Sequence, residues 1–309
     1  MECSSKESQA SVTMNRCSSC DIAEGDGIKL KTCAACKSVR YCSVKCQKKH
    51  RPKHKRDCRK RAAELRDEIL FKQPESSHFG DCPICFLPIS IEKGTATLMS
   101  CCSKIICQGC EYRNQKRQVE ENQVRTCAFC RSPSPKTTAD SEKILTDRAM
   151  KLNDVVAIRE VGIRLCFKGD FKKGFAYLSK AAEMGDVVAQ NEVGKMYDFG
   201  YGVEKDVSKA VPYYEKAAIG GNPFARHALA IIEIGNERLD RAVLHLIIAS
   251  KLGNKKSLQV LRCAYEDGSV SKEEFEATLR RYQDVVDATK SAQREEAANF
   301  RRSSTWGSG

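Results

Sequence analysis

The chain has 309 residues, of which 41% are hydrophobic and 30% charged, and its formal net charge is +13. This length predicts two or three domains. The N-terminal sequence lacks the apolar core of a signal peptide, and no stretch approaches the ~18 apolar residues of a membrane-spanning helix. Nothing in the sequence therefore supports secretion or a membrane span, and we expect an intracellular protein of the cytoplasm or nucleus.

Cysteine dominates the first half of the sequence: fifteen of the eighteen cysteines lie between Cys17 and Cys130. Most occur in C-x-x-C or C-x-x-x-C pairs, which place two thiolates on one tetrahedral zinc ion. A disulfide framework would require an oxidising compartment, so zinc is favoured. Two clusters of eight ligands predict about four zinc ions. The first contains Cys17, Cys20, Cys33, Cys36, Cys42, Cys46, His54 and Cys58, and the second Cys82, Cys85, Cys101, Cys102, Cys107, Cys110, Cys127 and Cys130.

Zinc ligation also changes the charge balance, because fifteen thiolates and four zinc ions reduce the net charge to about +6. Basic residues remain concentrated at positions 45–61, where ten of seventeen are Lys or Arg. Three interpretations stay open: a solvated face that balances the thiolates, a nuclear-localisation patch, or phosphate-backbone contact. Since only Tyr41 interleaves with these charges, no base-stacking platform is expected, and nucleic acid is not the favoured partner.

The first cluster contains CSSC, CAAC, RYCSVKCQ and HRPKHKRDC in that order. This segment, taken as 15–58, resembles the MYND zinc finger, and residues 1–14 before it are predicted to be disordered. The resemblance implies two interleaved sites and binding of proteins or short peptides, without catalysis. The implied ligand sets are Cys17, Cys20, Cys42 and Cys46 for one ion, and Cys33, Cys36, His54 and Cys58 for the other.

Apolar residues at helical spacing follow the finger, including Ala62, Leu65 and Ile69, with Pro74 beyond them. This pattern predicts a linking helix within 59–76.

The second cluster has the order CPIC, CC, CQGC, CAFC. It resembles a RING-type finger over 77–135, with Cys82, Cys85, Cys107 and Cys110 implied for one ion and Cys127 and Cys130 for the second. The resemblance is degenerate, because Lys104 occupies the usual histidine position and a protonated lysine cannot bind zinc. Either Cys101 and Cys102 both bind the second ion, or that site is vacant, leaving three ions, or it recruits His78.

Two residues of this segment favour docking of a ubiquitin-conjugating enzyme, as the resemblance implies. Ile84 lies within the first cysteine pair, and Arg131 follows the last cysteine. Against this, Ala128 replaces a common proline, and the stretch 111–126 is polar and predicted to be a solvated helix. RING ligases act by positioning the charged donor, so no catalytic residue is expected in this chain.

Cysteine becomes rare after a Ser/Pro/Thr-rich linker at 136–150, and a repeat begins. Its anchors recur at intervals of 32, 36 and 32 residues, each followed three positions later by Ala or Ser. This period, with small residues at fixed positions, predicts a helix-hairpin solenoid over 151–290. The stretch from VGKMYDFGYGVEKD onwards resembles Sel-one-like repeats, relatives of tetratricopeptide repeats, which implies protein binding. The anchors are Asn153-Asp154, Gly185-Asp186, Gly221-Asn222 and Gly253-Asn254.

The predicted architecture is multidomain: two small cross-braced zinc fingers followed by an all-α helix-hairpin solenoid, with a disordered tail at 291–309. The sequence favours a zinc-binding scaffold or adaptor whose repeats select a protein partner. An alternative is a RING-type ubiquitin ligase acting on a repeat-bound substrate. A third is a nucleic-acid-associated regulator that uses the basic patch at 45–61.

Overall fold

The computed structural model of the chain describes residues 15–25 and 27–305. The predicted disorder at 1–14, and at 306–309 of the tail, lies outside the described residues. The chain divides into two units, the first ending at Lys72 and the second beginning at Gln73. Within the described ranges, no helix combines the length and apolar character needed to cross a bilayer.

The first unit is a small cysteine-rich fold followed by one long helix. Strands β1 (Lys31–Thr32) and β2 (Arg40–Tyr41) pair antiparallel, with Lys31 opposite Tyr41. Helix α1 (Val44–Leu70) begins at Ser43, whose side chain accepts a hydrogen bond from the Cys46 amide. The core consists of Cys17, Leu30, Cys33, Cys36 and Tyr41.

The linking helix predicted within 59–76 is the C-terminal part of the longer helix α1. The helix starts fifteen residues earlier, continues through Pro52 and ends at Leu70. A proline inside a helix removes one backbone hydrogen bond. Because Cys46 before Pro52 and Cys58 after it both contact the finger core, the helix is held on both sides of the proline.

The second unit begins with the other cysteine-rich module. Strands β3 (Ala96–Met99) and β4 (Lys104–Cys107) form an antiparallel hairpin, and helix α2 (Gln108–Glu120) follows directly. The Cys107 sulfur caps this helix by accepting from the Cys110 amide. Cys82, Ile89, Ile106, Cys107 and Cys110 form the core of the module.

A helix occupies most of the segment predicted as a linker at 136–150. Helix α3 spans Thr138–Lys151 and starts with a capping box between Thr137 and Asp140. Its Leu145 and Ala149 are buried against the first repeat. The linker prediction is therefore wrong, because the Ser/Thr-rich composition marks a helix cap rather than a flexible connection.

Eight further helices form four stacked hairpins, as the repeat predicted. In each hairpin, the first anchor residue has a positive φ angle, from 49° at Asn153 to 93° at Gly185, and the second caps the next helix. The anchors therefore mark the turn that starts each repeat. The helices are α4 (Val155–Phe167), α5 (Phe171–Glu183), α6 (Val187–Phe199), α7 (Val207–Ile219), α8 (Pro223–Gly235), α9 (Leu239–Lys251), α10 (Lys255–Glu266) and α11 (Lys272–Ala288).

Small residues allow the helices of a hairpin to approach closely. A Cβ atom added at Gly194 of α6 would lie 2.7 Å from the Tyr214 ring of α7. One added at Gly162 of α4 would lie 2.8 Å from Leu178 of α5. The small-residue positions of the repeat are therefore set by helix–helix contact.

The predicted disordered tail at 291–309 is wrong for the described part, since helix α12 spans Ala292–Thr305. Ala297 is buried, and the Phe300 ring lies 5.1 Å from the Tyr112 ring of α2. Lys116 of α2 pairs with Glu296 at 2.8 Å. One face of α2 is therefore covered by α12, which also corrects the prediction that 111–126 is a solvated helix.

The architecture confirms the predicted fold class: a cysteine-rich N-terminal region precedes an all-α helical repeat solenoid. Within the described ranges, three helices lie outside the predicted repeats or linking helix: α2 in the second cysteine module, α3 before the solenoid and α12 after it.

Candidate metal centres

Sixteen side chains form four separate quartets, and within each quartet the four candidate ligand atoms lie within 4.8 Å of one another. Three quartets have the membership implied by the resemblance, and the fourth joins Cys127 and Cys130 to Cys101 and Cys102, which was one of the alternatives left open. The quartets are Cys17, Cys20, Cys42 and Cys46; Cys33, Cys36, His54 and Cys58; Cys82, Cys85, Cys107 and Cys110; and Cys101, Cys102, Cys127 and Cys130.

The spacing of the sulfur atoms fits tetrahedral zinc and excludes disulfides. A tetrahedral site with Zn–S bonds of ~2.3 Å places its sulfurs about 3.8 Å apart, whereas a disulfide brings them to ~2.05 Å. Every cysteine in the described ranges is a free thiol. In the first unit the contacts are Cys20 to Cys42 at 3.5 Å, Cys42 to Cys46 at 3.5 Å, Cys33 to Cys58 at 3.8 Å, and Cys36 to the His54 Nε2 at 3.2 Å.

Helix α1 supplies one or two members of each quartet in the first unit. Cys46, His54 and Cys58 occur at spacings of eight and four residues, so they lie on one side of the helix. His50, on the same side, accepts or donates a hydrogen bond with the Tyr41 hydroxyl at 3.1 Å and stacks on His54. His50 thus orients the His54 ring from outside the quartet.

Thiols that lie close together in one quartet have pKa values shifted in opposite directions. Burial raises the pKa of Cys17, but backbone N–H groups around it outweigh burial and lower the value to about 6. Hydrogen bonds from neighbouring thiols raise the pKa of Cys42, in the same quartet, to about 12. In the second quartet, burial raises the pKa of Cys33, but hydrogen bonds from backbone N–H groups and from His54 outweigh it and lower the value to about 6. Burial raises the pKa of Cys58 to about 11. A divalent cation would stabilise all four thiolates together.

The second unit has the same spacing. Backbone amides also donate to the sulfurs: Cys107 to the Cys82 sulfur at 3.4 Å, and Cys130 to the Cys127 sulfur at 3.5 Å. Such N–H donors stabilise thiolate ligands. The sulfur contacts are Cys82 to Cys110 at 3.9 Å, Cys85 to Cys107 at 3.7 Å, Cys101 to Cys130 at 3.4 Å, and Cys102 to Cys127 at 4.0 Å.

The positions of the side chains bear on the alternatives left open for the fourth quartet. Cys101 and Cys102 both lie in it, so four candidate ligand atoms come together there without a histidine. Lys104 instead lies over the Phe129 ring, with its Nζ 5.8 Å from the ring centroid. The His78 ring lies 4.2 Å from the Phe79 ring, tilted by 35°, and burial lowers the pKa of His78 to about 4.

Arg294, on helix α12, reaches the third quartet from a segment predicted to be disordered. Its guanidinium donates to the Cys85 sulfur at 3.5 Å, to the carbonyls of Leu87 and Pro88 at 3.1 and 2.6 Å, and to the Thr289 carbonyl at 2.7 Å. A cation that hydrogen-bonds a thiolate stabilises its charged form. Sequence reasoning missed this residue because no motif marks it.

The two predicted enzyme-contact residues occupy different environments. Ile84 is partly buried against the core of the second cysteine module, as is Ala128. Arg131 is exposed, has φ of 63°, and donates to the Asn114 side chain at 3.4 Å. Asn114 also donates to the Thr126 carbonyl at 2.9 Å, so the polar side of α2 is held against the last cysteine loop.

An aromatic cluster on the solenoid was not predicted. Tyr201, in the turn between α6 and α7, stacks on Phe171 at 5.6 Å and on Phe199 at 5.8 Å between ring centroids. Phe199 and Tyr201 are 60% and 50% exposed. Gly202 brings the turn against Phe171, because a Cβ there would lie 2.7 Å from that residue. The signal was the sequence FGYG, which was interpreted only as a turn.

Comparison with protein families supports the first cysteine module and the helical repeats. The MYND finger model matches residues 17–58, and the Sel1 repeat model matches 157–186 and 187–222. Both kinds of module generally mediate protein–protein interaction. The RING-type interpretation of 77–135 depends on the arrangement of its cysteines alone.

Two solved structures are similar to this chain at low identity. One is a protective antigen of uropathogenic Escherichia coli that displays an SLR fold, with 23% identity and a TM-score of 0.41; the match covers 49% of this chain and 34% of that protein. The other is a Sel1 repeat protein from Oxalobacter formigenes, with 19% identity and a TM-score of 0.44 over 63% of this chain and 88% of that one. This chain thus spans about a third of the first of these proteins. The family matches and the cysteine quartets together support a zinc-binding protein of the protein-interaction class.

Proposed function

We propose that the protein is a zinc-stabilised scaffold that captures a protein partner through its helical repeats. The observation that carries this proposal is the exposed aromatic cluster of Phe171, Phe199 and Tyr201. Single exposed apolar residues are ordinary on a protein surface, whereas contiguous exposed aromatics are typical of binding sites. Aromatic side chains contribute much of the binding energy at protein interfaces.

The solenoid holds this cluster on a rigid support. The buried ion pair between Arg159 and Asp186, at 2.9 Å, joins the first repeat to the cap of the second. His227 makes a similar link, since its Nδ1 lies 2.9 Å from the Ser257 hydroxyl of the next repeat. A partner that binds the cluster therefore meets a surface that needs little ordering.

We propose that the scaffold carries four zinc ions, one in each quartet. In this proposal the sixteen side chains predicted from the sequence are the ligands. The fit of the donor sets and sulfur spacing supports it. Small modules of this kind bury too little apolar surface to fold unaided, so zinc would supply their stability.

The scaffold is tested by site-specific photo-crosslinking in cells, comparing the native chain with a Phe199→Ala, Tyr201→Ala double variant. Loss of the crosslinked partner is expected, because the variant removes two aromatic contacts but no buried residue. The matched control is Leu239→Ala, which removes another exposed side chain (54% exposed) of the solenoid. Equal partner yields for all three chains would overturn the proposal.

A second candidate is a RING-type ubiquitin ligase that acts on the repeat-bound partner. It is favoured by the position of Ile84 at the core of the second cysteine module and by the exposed Phe129 of the last cysteine loop, whereas Ala128, in place of a common proline, argues against it. Arg131 stands exposed beyond that loop, where a cation can contact ubiquitin. The polar side of α2, fixed by Asn114, argues against it because an apolar docking contact is missing there.

An autoubiquitination assay with a panel of conjugating enzymes separates the two candidates. Ligase activity predicts ubiquitin chains with at least one enzyme, and their loss in Ile84→Ala and Arg131→Ala. If the zinc-loaded native chain gives no product with any enzyme, the ligase is rejected and the scaffold is unaffected.

A further inference from the structure

Helix α1 carries a continuous basic stripe, defined as Lys45, Lys48, Lys49, Lys53, Lys55, Arg56, Arg59 and Lys60. At 100° per residue, these eight side chains cover an arc of about 160° and extend for about 22 Å along the helix. All eight are exposed. Among the described residues, none of the eight forms an ion pair, whereas Arg61 beside them pairs with Glu64 and Glu68.

The stripe faces away from the zinc ligands. At the same 100° per residue, Cys46, His54 and Cys58 lie outside this arc, as does Asp57, the single acidic residue between positions 45 and 61. Among the described residues, none of the eight basic side chains forms a hydrogen bond with a thiol of the finger. This geometry disfavours the interpretation in which the charges exist to balance the metal centres.

The stripe also repels itself. Lys45 and Lys49, Lys49 and Lys53, and Arg56 and Lys60 are spaced four residues apart, and like charges at this spacing destabilise a helix. A sequence that keeps such a row without interleaved carboxylates is suited to a partner that supplies many anionic groups at regular spacing.

From this geometry we infer that the stripe of α1 binds double-stranded DNA through its phosphate backbone. The inference goes beyond the proposed scaffold. The major groove of B-DNA admits an α-helix, whereas that of duplex RNA is too narrow. Single-stranded nucleic acid is disfavoured because the stripe contains no aromatic side chain on which bases could stack. The contacts involve phosphates, so binding is independent of base sequence.

Fluorescence anisotropy tests the inference, using the full-length zinc-loaded chain and a labelled 20-base-pair DNA duplex at salt concentrations from 50 to 200 mM. Release of counterions from four to eight phosphates predicts a slope of about −4 to −7 for log affinity against log salt. The variant Lys49→Gln, Arg56→Gln, Lys60→Gln is expected to bind at least tenfold more weakly and to flatten the slope by about three.

The matched control is Lys255→Gln, Lys256→Gln, Arg280→Gln, which removes the same charge from the second unit. Its affinity and slope are expected to equal those of the native chain, and equal zinc content in all three chains shows that the finger is intact. The inference is overturned by a slope shallower than −2, by equal weakening in the control, or by tighter binding to duplex RNA or anionic vesicles than to DNA.

Discussion

The contact between Arg294 and the third quartet predicts that helix α12 stabilises a metal centre more than two hundred residues earlier in the chain. The perturbation is Arg294→Ala. It removes three hydrogen bonds to carbonyl oxygens, at 2.6 to 3.1 Å, and the donor to the Cys85 sulfur. The backbone carbonyls of Leu87 and Pro88 then lose a charged partner.

Hydrogen bonds to charged groups contribute about 1.5–3 kcal/mol each, and bonds from one guanidinium are not additive. Because Arg294 is only half-buried, water replaces part of the loss, and we expect the free energy of unfolding of the second unit to decrease by about 3 kcal/mol. Loss of an outer hydrogen bond to a ligand lowers metal affinity ~10-fold or more. Arg294→Lys keeps the charge but not the planar fork, so its effects are expected to be about half as large.

Urea unfolding followed by circular dichroism measures the first quantity, and zinc transfer to a chromophoric chelator measures the second. The control is Arg280→Ala, since Arg280 is exposed and 3.7 Å from Glu276, and such a pair contributes less than ~0.5 kcal/mol. If Arg294→Ala changes unfolding and zinc transfer no more than Arg280→Ala does, the docking of α12 on the cysteine module is refuted.

Three other predictions concern metal content, packing and pH. Elemental analysis is expected to give four zinc ions per native chain and three after either Cys101→Ser or Cys102→Ser; three ions in the native chain would show that the fourth quartet is vacant. Thermal unfolding is expected to show Gly194→Ala destabilised by about 1–3 kcal/mol through overpacking. Gly235→Ala, with no atom within 4 Å of the added Cβ, is expected to be neutral or stabilised by up to ~1 kcal/mol; equal effects would contradict the close helix approach. Burial lowers the pKa of His78 to about 4, so between that pH and ~6.5 the unfolded chain binds a proton at this histidine and the folded chain does not. The stability that neutral His78 contributes is therefore fully present above pH ~6.5 and is lost as pH falls towards 4. Unfolding titrations should therefore show that the free energy of unfolding of the native chain falls by about 2 kcal/mol more between pH 7 and 5 than that of His78→Gln. Parallel pH profiles of the two chains would rule this out.

Structures that are defined by one short motif could be predicted from the sequence alone. Each C-x-x-C pair forms a turn that brings two sulfurs together, whereas the interleaving of the pairs was implied by the family resemblance. The anchors of the repeat, such as Gly185 and Asp186, specify a positive φ angle followed by a helix cap. These features depend on neighbouring residues, so their spacing is sufficient to predict them.

The predictions of a linker and of a disordered tail failed because they used the composition of each segment and not the surfaces that it packs against. The segment at 136–150 is polar enough for a linker, yet Leu145 and Ala149 are buried because the first repeat offers them an apolar face. The predicted tail is rich in charge, but Ala297 and Arg294 dock its described part, helix α12, onto the cysteine module. Few apolar residues suffice when a neighbouring surface covers them.

The sequence by itself determined the chemistry of this protein: thiol and imidazole donors in four sets, a repeat of helical hairpins, and an excess of basic residues at 45–61. The tertiary structure decided which of these features face one another. It places Cys101 and Cys102 in one quartet, Lys104 over an aromatic ring, and eight basic residues of α1 on one exposed stripe. Donor identity is a property of single residues, whereas contact depends on how the whole chain folds.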